Sequence, residues 1–172
     1  MSRAAYLDAL KMLGRRELSE AQVRQRLGRR GHEADAIESA VADLLEQRAI
    51  DDTRVAGAIA RTQTAFKQRG KLRVRRQIEQ AGISAATARQ AVDAVFGALD
   101  ADALLDASLA KRMRGRDRIA DDREFQRLYR YLIAQGFESS RVLAALKKRG
   151  AGKTGRAGRA GEAGRAQDHD DE

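Results

Sequence analysis

Three stretches of the 172-residue chain align without a gap, each around a glycine. Residues 23–41 read VRQRLGRRGHEADAIESAV, residues 74–92 read VRRQIEQAGISAATARQAV, and residues 128–146 read LYRYLIAQGFESSRVLAAL. Apolar residues fall at matching places: Val23, Val74 and Leu128; Leu27, Ile78 and Leu132; Val41, Val92 and Leu146. The glycines Gly31, Gly82 and Gly136 match as well, 51 and 54 residues apart. Self-similarity at such a period is the signature of a repeat architecture, in which one small unit is built several times.

Each stretch reads as helix, glycine stop, helix. Glycine accepts the left-handed backbone of a helix C′ position without a Cβ penalty. Apolar residues then return at helical spacing, as in Ile37, Val41, Leu44 and Leu45, and in Ala88, Val92, Val95 and Phe96. A further helix precedes each stretch. Its core face is expected to carry Tyr6, Leu10 and Leu13 in the first repeat, Val55, Ile59, Thr62 and Phe66 in the second, and Leu105, Leu109 and Met113 in the third. Ser19 with Gln22 forms a capping box and Leu18 with Val23 a hydrophobic staple. Asp51 and Asp52, like Asp121 and Asp122, put negative charge at helix N-termini, so capping is the expected role of these acidic pairs. The chain has no proline to interrupt a helix, and no segment alternates with the period of a strand. The expected fold is all-α: three tandem three-helix repeats over 1–50, 51–99 and 100–149, forming an elongated, curved array. A unit of this size buries little surface alone, so the repeats are expected to lean on one another.

The remainder, 150–172, reads GAGKTGRAGRAGEAGRAQDHDDE, with no apolar residue larger than alanine. It cannot bury a core and is expected to be a disordered tail. Gly150 to Thr154 invites a phosphate-loop reading, but Lys147 stands where such a loop needs glycine and a helix precedes it where a strand is required. The tail holds four basic and five acidic side chains, a net of −1, so with +9 on the whole chain the body carries about +10.

A body this basic attracts polyanions, nucleic acid above all, or acidic protein surfaces. The absence of cysteine excludes disulfides, zinc–thiolate sites and thiol nucleophiles. His32 matches Ile83 and Phe137 in the repeat and is read as a packing residue; with His169 it makes no credible metal site or triad. No apolar run approaches the length of a membrane span, and the first residues lack a signal-peptide pattern, so a cytoplasmic location is expected.

The densest basic stretch is 67–76, with Lys67, Arg69, Lys71, Arg73, Arg75 and Arg76 and no acid among them. With Val74 and Ile78 in the core, Arg73 and Arg76 are expected to face solvent, where a phosphate backbone is the natural target. The plainer alternative is a solvated helix face. A second group is Arg24, Arg26, Arg29 and Arg30, with Arg15 and Arg16 nearby; a third is Lys111, Arg112, Arg114, Arg116 and Arg118. Glu17, Glu20 and Asp117 dilute these two, and some of their members are expected in ion pairs of little value. Tyr129 and Tyr131 flank Arg130 and could stack on bases. Two residues apart they cannot share a helix face, and packing is the favoured role.

The ordered pieces together resemble the RecX family of bacterial recombination regulators. Ala4, Leu10, Leu13, Arg15 and Arg16, followed by 19–31, resemble its first repeat. Ile50-Asp51-Asp52-Thr53-Arg54-Val55-Ala56 resembles the family's I-D-D-x-R-[FY]-A signature, with Val55 where an aromatic is common. GKLRVRRQIEQAGI at 70–83 resembles its G-x-x-[RK]-[IV]-x-x-x-[LI]-x-x-x-G-I element, with Lys71 and Leu72 where proline is frequent. RLYRYLIAQGF at 127–137 resembles its R-x-x-x-[FY]-L-x-x-[RQ]-G-F pattern. The resemblance spans about 4–150 and implies a regulator without cofactor or catalytic residues; a monomer is expected. The implied partner is the RecA filament on single-stranded DNA, whose strand exchange, ATP turnover and co-protease activity such a protein opposes. The first and second basic groups would then line the facing surface. Two rivals share the same charge: a general nucleic-acid-binding protein that does not need RecA, and a helical adaptor for an acidic protein. An enzyme is the least favoured class, since no nucleophile–base pair or metal set is present.

Overall fold

The computed structural model describes residues 3–150; the expected tail lies outside the described residues from 151 onward. Among the described residues there are nine helices and no strand. They are α1 (Arg3–Leu13), α2 (Glu20–Arg29), α3 (Ala34–Glu46), α4 (Asp52–Ala65), α5 (Lys71–Gln80), α6 (Ala85–Gly97), α7 (Ala101–Met113), α8 (Asp122–Ala134) and α9 (Ser139–Arg149).

The helices fall into three triplets, each around its own core. Extensive helix–helix packing occurs only within a triplet, which makes the chain a tandem array instead of one fused body. The aligned apolar positions are the centres of the three cores: Val23, Val74, Leu27, Ile78, Leu132, Val41 and Leu146 are wholly buried, and Leu128 and Val92 nearly so. In the first helix of the first two repeats the buried stripe lies beside the expected one, a single residue away in α1. The buried stripe of α1 is Ala5, Ala9 and Met12, and that of α4 is Val55, Ala56, Ala60 and Thr64. Leu10 is exposed and Phe66 points outward. The alanines let α1 approach α3, and α4 approach α6, more closely than large side chains permit. In the third repeat, Leu105, Leu109 and Met113 are buried as expected.

Capping follows the sequence closely. Ser19 Oγ accepts from Gln22 N at 3.2 Å while Gln22 Oε1 accepts from Ser19 N at 3.3 Å, and Leu18 and Val23 are both buried. Asp51 accepts from Arg54 N at 2.9 Å and Asp121 from Glu124 N at 2.7 Å.

Gly31, Gly82 and Gly136 all take the left-handed backbone, with φ of 82°, 81° and 90°. Two of them serve a second purpose. Ser19 Oγ, at the start of α2, also donates to the carbonyl of Ala81 in the next repeat. One repeat further on, Gly70 N at the start of α5 donates to Gln135 O at 2.9 Å, and Leu72 N to Gly136 O at 3.1 Å. Position 19 aligns with 70, and 81 with 135. The same joint is therefore used twice: the start of one repeat's second helix seats on the glycine turn of the following repeat. The approach is close. A Cβ on Gly82 would lie 2.3 Å from that of Ala21, and one on Gly136 would lie 2.2 Å from Arg73 N. Gly31, in the first of the three repeats, has nothing within 4 Å of such an atom. The joints add polar links across repeats, Glu20 N to Asp52 Oδ1 at 2.9 Å and Arg54 Nε to Glu17 Oε1 at 2.8 Å.

Candidate nucleic-acid interface

The basic stretch 67–76 divides once folded. Alternation between a buried Val74–Ile78 stripe and the joint on its N-terminal side assigns each cation a different environment. Arg69 turns inward and donates to Gln63 Oε1 at 2.7 Å and Gln77 Oε1 at 2.6 Å. Burial, then the neighbouring Arg73, pushes its guanidinium below the ordinary range. Arg73, expected at the surface, is half-buried and donates from Nη1 to Ala134 O at 2.7 Å. The sequence spacing placed it correctly on the helix; the third repeat then covered it. Lys71 pairs with Asp93 at 2.8 Å and Arg75 loosely with Glu79 at 3.5 Å. Lys67 and Arg76 are exposed and make no ion pair among the described residues.

The first-repeat group sorts differently. Arg24 is committed to acids: it forks onto Glu38 at 2.8 and 3.0 Å and also pairs with Glu20. Those hydrogen bonds, Glu38 first, raise its already high proton affinity further. Arg26, Arg29 and Arg30 gather with Arg16 from the loop before α2. Partial burial of Arg26, followed by repulsion from Arg16, Arg29 and Arg30, pushes its guanidinium down. The acid nearest this group is Asp8, 3.4 Å from Arg30 and 3.2 Å from His32 Nε2. The hydrogen bond with His32, then Arg30, holds that carboxyl below the usual range. His32 thus packs, as its repeat position indicates, with its polar edge on α1.

In the third repeat Glu124 is buried among cations. Arg116 approaches it at 2.5 Å, Arg127 at 3.3 Å, and Ala120 N donates to it at 2.8 Å. These contacts, Arg116 first, hold its carboxyl down to about 2. Arg112, Arg114, Arg116 and Arg127 rim a hollow of about 280 Å³; Arg127 lies on another helix, which hid its membership from a reading along the chain. Arg112 caps the Tyr131 ring at 5.1 Å, and both tyrosines are half-buried against the third core, in the packing role.

The chemistry available is that of cations and hydrogen-bond donors: neutralising phosphates or carboxylates over an extended surface. Among the described residues no group of three or more His, Asp or Glu side chains is placed to hold a metal ion, and no helix is long and apolar enough to cross a membrane.

The model of the RecX first three-helix domain matches residues 5–44. The chain is 31% identical over 139 residues to the regulatory protein RecX of Chromohalobacter salexigens, covering 81% of this chain and 88% of that protein. It is 30% identical to the regulatory protein RecX of Halorhodospira halophila, covering 84% and 87%. A crystal structure of a regulatory protein RecX superimposes with a TM-score of 0.70 at 24% identity, covering 84% of this chain and 70% of that one. RecX from Lactobacillus salivarius superimposes with a TM-score of 0.65 at 18% identity, covering 84% and 93%, so the architecture recurs where little sequence does.

Proposed function

The chain belongs to the RecX family of regulatory proteins, and from that premise we propose that it binds the RecA filament on single-stranded DNA and inhibits its recombinase, ATPase and co-protease activities. Recombinational repair and the SOS response are the processes it would tune. It acts by binding, as a cytoplasmic monomer, without a cofactor.

The observation that carries the reading beyond the family is the group of Arg16, Arg26, Arg29 and Arg30, of which only Arg30 meets an acid, Asp8, among the described residues. Cations held together against repulsion gain most from a polyanion, which supplies many negative charges along one surface. Lys67 and Arg76 extend the contact into the second repeat; Lys71 and Arg75 can exchange exposed partners for phosphate at little cost. Arg24, Arg69 and Arg73 instead hold the fold that presents these groups. Inhibition is steric and electrostatic: an array seated in the filament groove keeps out a second duplex or a client protein.

The test is RecA ATP hydrolysis on single-stranded DNA, titrated with this protein at substoichiometric ratios. Inhibition well below one protein per RecA, retained in excess DNA, is expected. Inhibition abolished by added DNA would instead establish the second reading, a general nucleic-acid binder for which RecA is incidental.

A further inference from the structure

The loop 66–70 between α4 and α5 combines three features that each oppose folding. Phe66 is 73% exposed, the most of any large apolar side chain among the described residues. Gln68 takes a left-handed backbone, φ 52°, although it is not glycine. Its Oε1 is buried with no hydrogen-bond partner among the described residues. Exposed aromatic surface, backbone strain and an unsatisfied acceptor each carry a cost, and such features persist where the surroundings fix them, often at functional sites.

The surroundings do fix this loop. Gln68 N donates to Thr64 O at 3.1 Å and Arg69 N to Gln63 O at 3.1 Å. Arg69 clamps Gln63 and Gln77 beneath it. Gly70 N donates to Gln135 O in the next repeat, where Gly70 and Gly136 meet too closely for a side chain on either. Phe66 and Lys67 are thus held out from a loop anchored in two repeats. A rigid aromatic presented in this way loses little freedom on binding.

Charge identifies the occupant. Between Asp52 and Glu79 the chain has no carboxylate, and Lys67, next to Phe66, is exposed with no ion pair among the described residues. The rest of the loop, Lys67 to Gly70, contributes no large apolar side chain of the kind that surrounds a protein-binding hot spot. An aromatic face next to cations matches one nucleotide, with a base to stack and a phosphate to neutralise. In a duplex the base faces are already stacked on one another.

We propose that Phe66, with Lys67 beside it, is a stacking post for an unpaired base of single-stranded nucleic acid. The proposal deepens the reading above and rests on its premise that the partner carries single-stranded DNA. The array would thereby sense exposed bases as well as phosphate charge.

The chain contains no tryptophan, so Phe66→Trp places a single indole at the post. Full-length protein carrying this change is titrated with an oligo-dT strand and with a duplex of equal length, while anisotropy of a labelled strand reports binding independently. Quenching of the indole by the single strand, with little by the duplex, is expected. Phe66→Ala and Phe66→Leu are each expected to weaken single-strand binding roughly ten-fold while leaving duplex binding within about two-fold. Thermal melts of both variants matching the parent would establish that the side chain has no structural role. Binding without quenching, or Leu performing as well as Phe, overturns the stacking post and leaves the filament reading intact. Failure of the parent protein to bind either oligonucleotide overturns the stacking post, while the filament reading stands or falls on the ATP-hydrolysis titration. If Phe66→Ala spares DNA binding and abolishes only binding to RecA, the residue contacts protein and the proposal is wrong.

Discussion

Replacing Gly82 by alanine separates the two demands made on the repeat glycine. The first is conformational: at φ 81° an L-residue pays about 1 kcal/mol for the left-handed region. Gly31, at φ 82° with nothing within 4 Å of an added Cβ, carries that demand alone. At Gly82 the new Cβ would lie 2.3 Å from Ala21 Cβ, and carbon atoms prefer about 3.5–4.0 Å. The start of α2 must therefore retreat by more than about 1 Å, at an overpacking cost of about 1–3 kcal/mol. Retreat also breaks the bond from Ser19 Oγ, which is wholly buried, to Ala81 O, worth roughly another 1 kcal/mol. Gly31→Ala is expected to cost about 1 kcal/mol and Gly82→Ala about 3 kcal/mol or more. In an Ala21→Gly background the nearest atom becomes Ala21 Cα at 3.8 Å, an ordinary contact. The cost of Gly82→Ala should then fall to that of Gly31→Ala, a coupling of about 2 kcal/mol. Urea unfolding followed by circular dichroism, on the parent, the three single variants and the double, measures this cycle. Equal costs at positions 31 and 82, or no rescue by Ala21→Gly, would refute a close-packed joint and leave the glycine with a local role only.

Three further outcomes follow from named contacts. Glu124, held at about 2 against an ordinary value of 4.5, contributes stability that is complete above about 4.5 and lost as pH falls through that window toward 2; thermal melts should show the third repeat's acid sensitivity shrinking in Glu124→Gln, and parallel pH profiles would contradict this. Arg26→Gln with Arg29→Gln should lower the salt slope of single-strand binding by about 2, whereas Arg24→Gln, already paired with two glutamates, should leave it nearly unchanged; equal slopes for all variants would remove the first repeat from the interface. Arg73→Glu should destabilise the joint between the second and third repeats by about 1–3 kcal/mol, since its guanidinium serves Ala134 O. Arg75→Glu with Arg76→Glu should fold normally and bind weakly, so a variant reversing all three charges would confuse loss of binding with loss of structure.

The sequence by itself determined the helices, their caps and the repeated glycine turn, because these depend on interactions a few residues long. Val23, Leu27 and Val41 and their counterparts announce their burial by spacing, and Ser19 and Gln22 announce a capping box in the same way. The first helices of the first two repeats were less legible. Size pointed to Leu10 and Phe66, but alanines at helical spacing form the close-packed faces of α1 and α4. The basic residues were legible as a group and not as individuals. Whether an arginine meets a carboxylate, a carbonyl or water depends on what another helix brings to it: Glu38 to Arg24, Gln77 to Arg69, Ala134 to Arg73. Only the tertiary structure decided which cations are taken up by a carboxylate or carbonyl of another helix. The twice-used joint belongs to the same class, since its halves lie more than sixty residues apart and nothing local marks Ser19 or Gly70 as the seat of a neighbouring turn. Spacing along a chain reports the geometry of one helix; the meeting of two is fixed only when both are packed.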